Sequence, residues 1–323
     1  MNGKKIKAPF PYFGGKSRIA DTVWDVLGGD EVKHYIEPFC GSCAVLLKRP
    51  NYTQKMVETV NDADCHIANV WRCLKLKPEE TAYYADEPVN HLELNVKREY
   101  LRNNADSLRG LLSSELEACD PQMAGFYIWA SSCWIGSGLT RKTSIPHVSH
   151  NGKGIHGQIP HVSNNGNGIH GQIPHDNNSG KLDHIYEWFN HLSYRLRKVR
   201  VVCGDWTQVC GGNWQNKIGL CGMFFDPPYS NIRRKNIYNE DDLEVYQKVN
   251  KWVSKRGSDP SYRIVVAGYD SEHNNLVEDY GWSVVEWKAI GGFGNIARNG
   301  SKAKGKQNAR LERLWLSPHC IKK

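Results

Sequence analysis

Apolar positions along the chain fall into two patterns. Short apolar runs bounded by turn residues occupy residues 34–39 (HYIEPF), 56–60, 199–203, 223–225, 263–269, 283–287 and 311–316. Runs of this length and composition predict buried strands. Between them, residues 64–76, 182–196 and 240–256 repeat apolar side chains every three to four positions, which predicts helices, and residues 43–48 start another after the turn Cys40-Gly41-Ser42. Strands alternating with helices predict an α/β fold with a doubly wound, mainly parallel sheet.

Residues 77–181 interrupt that alternation. From 78 to about 134 the pattern is helical with charged faces, and from 136 to 180 the chain turns rich in Gly, Asn, His and Ser. That second stretch holds a tandem duplication. Residues 145–158 read IPHVSHNGKGIHGQ and residues 159–172 read IPHVSNNGNGIHGQ, differing only at His150/Asn164 and Lys153/Asn167. Two copies are too few for a solenoid. Each sets a β-favouring piece beside an Asn-Gly turn, which predicts a short hairpin or loop. The expected organisation is a domain built from 1–76 and 182–323, with 77–181 as an inserted helical and loop lobe.

Composition narrows the class. A chain of 323 residues with 40% hydrophobic and 11% aromatic residues can bury a sizeable core. No apolar run approaches the ~18 residues of a membrane span, and residues 1–7 are basic but lead into Pro-Phe-Pro, so no signal peptide is expected. The formal charge of +8 suits a polyanionic partner. Its placement says more: residues 288–310 carry Lys288, Arg298, Lys302, Lys304, Lys306 and Arg310 with no acid among them. Most of the ten cysteines sit singly in apolar stretches, and Cys40 and Cys43 form one C-x-x-C without a second pair. Reduced thiols account for that better than zinc, so no metal is expected.

Four motifs carry chemistry. Asp226-Pro227-Pro228-Tyr229 follows the apolar run GMFF, at the carboxyl end of an expected strand, where open α/β sheets bind ligands. Two prolines stiffen the turn and remove two N–H donors, leaving carbonyls to accept. Asp226 adds a carboxylate and Tyr229 a ring for stacking. An amino group held by two acceptors keeps its lone pair aimed elsewhere, as methylation of a weakly nucleophilic conjugated amine requires. Glu37-Pro38-Phe39-Cys40-Gly41-Ser42-Cys43 puts small residues after a strand, where a cofactor can approach the backbone. Asn61-Asp62 ends the next strand, where an acid suits a ribose hydroxyl or simply caps the following helix. Pro11-Tyr12-Phe13-Gly14-Gly15-Lys16 offers rings and a cation beside a tight turn.

In this chain order the motifs YFGGK, EPFCGSC, VNDAD and DPPY resemble the DNA adenine-N6 methyltransferases of the Dam type, the D12 class. The resemblance spans roughly two-thirds of the chain and leaves out the duplication. It implies a Rossmann-like methyltransferase sheet, S-adenosyl-L-methionine as cofactor, double-stranded DNA as partner, and residence in the cytoplasm of a bacterial or phage-infected cell. Residue by residue, it implies that Tyr12, Phe13 and Lys16 contact the cofactor, that Glu37, Phe39 and Gly41 form its turn, and that Asp62 binds its ribose. Asp205-Trp206 resembles the family's Asp-Phe pair near the cofactor adenine. Asp226, Pro227, Pro228 and Tyr229 match the catalytic motif, with Asp226 also counted among the cofactor contacts and the base flipped out of the duplex to reach them. Cys40 and Cys43 depart from the apolar or small residues usual in the turn.

Weaker features complete the reading. Arg233, Arg234 and Lys235 follow DPPY closely and suit a phosphate, and Arg298 and Lys302 lie in the basic stretch. Arg141, Lys142 and Lys153 are the cations of the loop-rich lobe, the expected target-recognition region. A solvated surface is the alternative for each. DPPY serves amines generally, so cytosine N4 or an RNA adenine stays open as the target, as does a catalytically silent DNA-binding protein.

Overall fold

The computed structural model describes residues 6–12, 14–53, 55–115, 117–134, 139–140, 147–148, 155–156, 169, 175–176, 180–181, 185–228, 245–270, 272–287 and 312–322. The first elements are α1 (Ala20–Leu27), β1 (His34–Glu37), α2 (Ala44–Leu47), β2 (Val57–Asp62) and α3 (Cys65–Leu76). Helices α4 (Pro78–Ala85), α5 (His91–Asn103), α6 (Ala105–Ser114) and α7 (Pro121–Cys133) follow. Four two-residue strands come next: β3 (His147–Val148), β4 (Ile155–His156), β5 (His175–Asp176) and β6 (Gly180–Lys181). The α/β pattern resumes with α8 (Ile185–Leu196), β7 (Val199–Cys203), α9 (Thr207–Cys210) and β8 (Cys221–Phe225). It ends with α10 (Val245–Arg256), β9 (Tyr262–Tyr269), α11 (Asn274–Tyr280), β10 (Ser283–Glu286) and β11 (Glu312–Leu316).

Seven strands form one mixed sheet in the order β10-β11-β9-β8-β1-β2-β7. The pairs β1–β2, β1–β8 and β8–β9 are parallel, whereas β11 runs antiparallel between β9 and β10. The sheet is therefore mainly parallel, as the alternating pattern predicts. Strand β1 stops at Glu37, two residues short of the expected end, because Pro38 has no N–H to give the ladder. Helix α1 was not anticipated. It is only 8 residues long and its N-cap, Ile19, makes no side-chain cap, so it lacks a start signal. The hairpin expected of the duplication is present in its first copy, where His147 pairs with His156 and Val148 with Ile155.

The chain divides into two compact units interleaved in sequence. One comprises Met1–Tyr12, Asp62–Asp205 and Asn236–Glu240, and the other Phe13–Asn61, Trp206–Lys235 and Asp241–Lys323. The expected insert, 77–181, falls inside the first unit, which extends past it on both sides.

In the first unit, α3 packs on α7 and α8, and α4 packs on α7 and α8. Arg72 staples this unit. It donates Nε–H to the Val201 carbonyl at 3.2 Å and Nη1–H to those of Leu112, Glu115 and Ala118 at 2.9–3.3 Å. A buried cation is tolerated here because oxygen dipoles surround it.

In the second unit, Arg49 and Glu58 form a buried ion pair at 3.2 Å. Arg49 also donates to the Val32 carbonyl and lies over the Trp24 ring at 4.9 Å. Glycine at 222 packs tightly, since a Cβ there would sit 3.0 Å from both methyls of Val32. Strand β8 thus reaches its end fully buried, and delivers Asp226 at the sheet's carboxyl edge.

Candidate active site

The second unit gathers most of the residues expected to matter. Asp226 follows directly on β8 and is half-buried, with Pro227 buried and Pro228 half-buried behind it. Its Oδ2 meets Lys16 Nζ at 2.8 Å. Lys16 is itself only 6% exposed and donates a second bond, at 2.8 Å, to the Gly14 carbonyl. Gly14 has φ of 79°, a left-handed backbone that only glycine takes up freely.

Glu37 ends β1, on the strand beside β8. It is 2% exposed. Its Oε2 accepts from Tyr35 Oη–H at 3.1 Å and from the Leu46 N–H at 3.2 Å. Burial pushes its carboxyl from an ordinary 4.5 up to about 8; those two hydrogen bonds oppose the shift, and the negative charges of Asp226 and Glu58 add to it. Glu37 therefore carries its proton at neutral pH.

The turn after β1 is tight. Gly41 has φ of 44° and Cys43 has φ of 49°. The Cys43 N–H donates to the Cys40 carbonyl at 2.7 Å, while the Cys40 N–H donates to the Asn61 carbonyl at 2.9 Å. Asn61 Nδ2–H returns a bond to the Pro38 carbonyl at 3.0 Å, so the turns after β1 and β2 brace each other.

Beside these groups lies a cluster of four rings. Phe39, half-buried, faces Trp206 at 6.2 Å and Phe225 at 6.4 Å. Trp252 of α10 meets Phe225 at 5.6 Å and Trp206 at 6.3 Å. Phe225 ends the GMFF run that delivers the Asp-Pro-Pro turn, whereas Trp252 is missed in the sequence, being one aromatic on an ordinary amphipathic helix that carries no signal.

Other expected residues are placed in the first unit. Tyr12 is half-buried and meets Phe10 edge-on at 6.4 Å. Phe10 in turn packs on Trp71 and Tyr127. Asp62, at the end of β2, accepts the Asp64 N–H at 2.9 Å, and its carbonyl accepts the Gly204 N–H at 3.1 Å. Asp205 is exposed; Trp206, next in sequence, belongs to the second unit and is buried. Phe13, Tyr229, Arg141, Lys142, Lys153, Arg233, Arg234, Lys235, Arg298 and Lys302 lie outside the described residues.

Among the described residues, Asp64, Cys65 and His66 bring potential metal-ligand atoms within 4.8 Å of one another. Local bonds account for the group as a helix start. Asp64 Oδ1 caps α3 by accepting the His66 N–H at 2.9 Å, and Cys65 Sγ donates to the Ala105 carbonyl at 3.6 Å. No helix among the described residues is long and apolar enough to cross a membrane.

A mainly parallel α/β sheet with an Asp-Pro-Pro turn on a central strand, a cation on that Asp, and rings beside it is consistent with a methyltransferase. The family described as D12 class N6 adenine-specific DNA methyltransferase has a model that matches residues 12–144, so a domain of that family is detected there. The match takes in YFGGK, EPFCGSC and VNDAD and ends before DPPY. The family supports methylation of adenine in DNA as the general activity. No curated protein matches the chain closely enough to count as a relative.

Proposed function

We propose that the protein transfers a methyl group from S-adenosyl-L-methionine to the N6 amine of an adenine flipped out of double-stranded DNA, with Asp226 as the principal catalytic residue. The observation that carries this reading is Asp226 at the end of β8, ion-paired with Lys16 at 2.8 Å beside a neutral, buried Glu37. The donor set fits the cofactor. Carboxyl oxygens favour a cationic centre, the half-buried face of Phe39 suits an aromatic base, and the positive φ of Gly41 permits close approach to the backbone. The cofactor would supply a methyl group already activated on a cationic sulfonium.

The residues then have little covalent work to do. Asp226 and the Pro227 carbonyl accept the two N–H groups of the target amine, which turns its lone pair toward the methyl carbon. A bound cofactor would supply the methyl group, its sulfur keeping the electron pair of the broken C–S bond, while Asp226 and the Pro227 carbonyl hold the amine and the alkylated nitrogen would lose its proton to solvent. Positioning carries most of the rate. Asp62 is assigned to the cofactor ribose, with Tyr12 and Asp205-Trp206 as further contacts. Tyr229 is assigned to stacking on the flipped base. Arg233, Arg234, Lys235, Arg298 and Lys302 are assigned to DNA phosphates, and residues 77–181, with Arg141, Lys142 and Lys153, to target recognition.

The test is Asp226→Ala. This variant should retain cofactor binding by calorimetry and lose methyl transfer by several orders of magnitude, because the amine loses its acceptor. Tritium transfer from labelled cofactor to duplex DNA, followed by nucleoside analysis, reads both rate and product. Near-normal turnover removes Asp226 from the reaction, and N4-methylcytosine in place of N6-methyladenine changes the target.

A further inference from the structure

We infer that Lys16 is a positioning residue for Asp226, so that the YFGGK segment acts on the chemical step through the carboxylate rather than only on cofactor affinity. The inference rests on the catalytic role proposed for Asp226.

Three observations point to it. Lys16 is 6% exposed and Asp226 20%, so the pair is largely withdrawn from water and its 2.8 Å contact is not a loose surface ion pair. The lysine is fixed at both ends. Its carbonyl accepts the Ile19 N–H at 3.1 Å in the turn that opens α1, and its ammonium is tethered to the Gly14 carbonyl at 2.8 Å. Lastly, Glu37, which ends the neighbouring strand and feels the charge of Asp226, is buried and protonated at neutral pH, so it adds little negative charge beside that carboxylate.

A carboxylate accepts along several lone-pair directions. Fixing Oδ2 on Lys16 therefore sets the plane in which Oδ1 meets an incoming amine. Loss of the ammonium frees that plane to rotate and leaves a partly buried carboxylate without its counter-charge. Both effects act on the orientation of the amine, which is where this reaction gains its rate.

The experiment is a double-mutant cycle on the full chain with Lys16→Met, Lys16→Arg and Asp226→Asn, assayed at saturating cofactor and duplex DNA. K16M should lower kcat about tenfold to a hundredfold. Cofactor affinity by calorimetry should change far less than kcat, and K16R, which keeps the charge, should recover part of the loss. In the D226N background K16M should cost about twofold or less, because its effect runs through a carboxylate already replaced. If K16M melts below the assay temperature, K16R in the two backgrounds supplies the same cycle. Unchanged kcat with weakened cofactor binding makes Lys16 a cofactor ligand and overturns the inference, as do losses that simply add. A wild-type protein that methylates no nucleic acid sinks the proposed function instead, and the inference with it.

Discussion

Replacing Glu37 by Gln should change how stability depends on pH. The native carboxyl titrates near 8 and the ordinary one near 4.5. Below about 4.5 both folded and unfolded chains hold the proton, and the contribution of the protonated carboxyl is fully present. As pH rises the unfolded chain ionises while the buried group does not, so stability falls by about 1.4 kcal/mol per unit until the native group titrates as well. At pH 7, 2.5 units above the ordinary value, the loss amounts to about 3 kcal/mol. Glutamine keeps an acceptor for Tyr35 Oη–H and the Leu46 N–H and cannot ionise. If its amide N–H finds no acceptor, about 1–3 kcal/mol is lost at every pH, which shifts the curve without altering its slope. Urea unfolding of both proteins at pH 5, 6, 7 and 8 measures the slope directly, and the difference between them isolates Glu37. The wild type should lose stability from pH 5 to 7 relative to E37Q. Two parallel curves would refute a neutral Glu37. Cofactor binding at pH 7 should also release protons from the wild type more than from E37Q, because a cationic ligand favours the ionised carboxyl. Calorimetry in buffers of different ionisation enthalpy counts them.

Two further outcomes are expected. Asp62→Ala should weaken S-adenosylmethionine binding by about 1.5–3 kcal/mol, the scale of a hydrogen bond to a charged group, while Asp62→Asn, which keeps an acceptor, should lose less; unchanged affinity in both, measured by calorimetry, places the ribose elsewhere. Deletion of 159–172 should leave cofactor affinity intact but weaken DNA binding or change the methylated sequence, read by fluorescence anisotropy and by sequencing of modified DNA. An unaltered site and rate would make the second copy a passenger, although the complete burial of Ile169 within it already argues for a part in the fold.

The strands were legible from short runs of apolar and β-branched residues: GMFF is apolar throughout and its strand is fully buried, and VRVVC keeps its apolar residues around the single exposed Arg200. The short helices α1 and α9 were not, since two turns of helix make no sustained period and neither has a side-chain N-cap. Two acids at strand ends were legible for the same reason as the strands: Asp62 and Asp226 stand where an apolar run stops, whereas Glu37 lies inside the run 34–39 and was read only as part of the turn that follows. The protonated state of Glu37 was not, because it depends on what surrounds the group. Glu37 is enclosed with a tyrosine and a backbone amide, whereas Asp226 meets a lysine 210 positions away in the chain. Sequence spacing carries no trace of that meeting, nor of the brace between the Asn61 and Pro38 turns.

The ion pair also bears on how far the family match reaches. The match includes Lys16, Glu37 and Asp62 and stops at 144, so nothing in it speaks for Asp226. A D-P-P-Y tetrapeptide alone is a weak motif, as compatible with a stiff capped turn as with catalysis. The fold adds a placement to the motif. It seats Asp226 at the end of β8, next to β1, whose own end is the Glu37 turn inside the matched segment. It also spends the buried charge of a matched residue, Lys16, on Asp226. Burying a lysine costs several kcal/mol, and the ion pair with Asp226 together with the bond to the Gly14 carbonyl offsets part of that cost. The matched and unmatched halves of the motif set are thus tied by a contact whose loss is measurable, and the double-mutant cycle at 16 and 226 tests the tie itself.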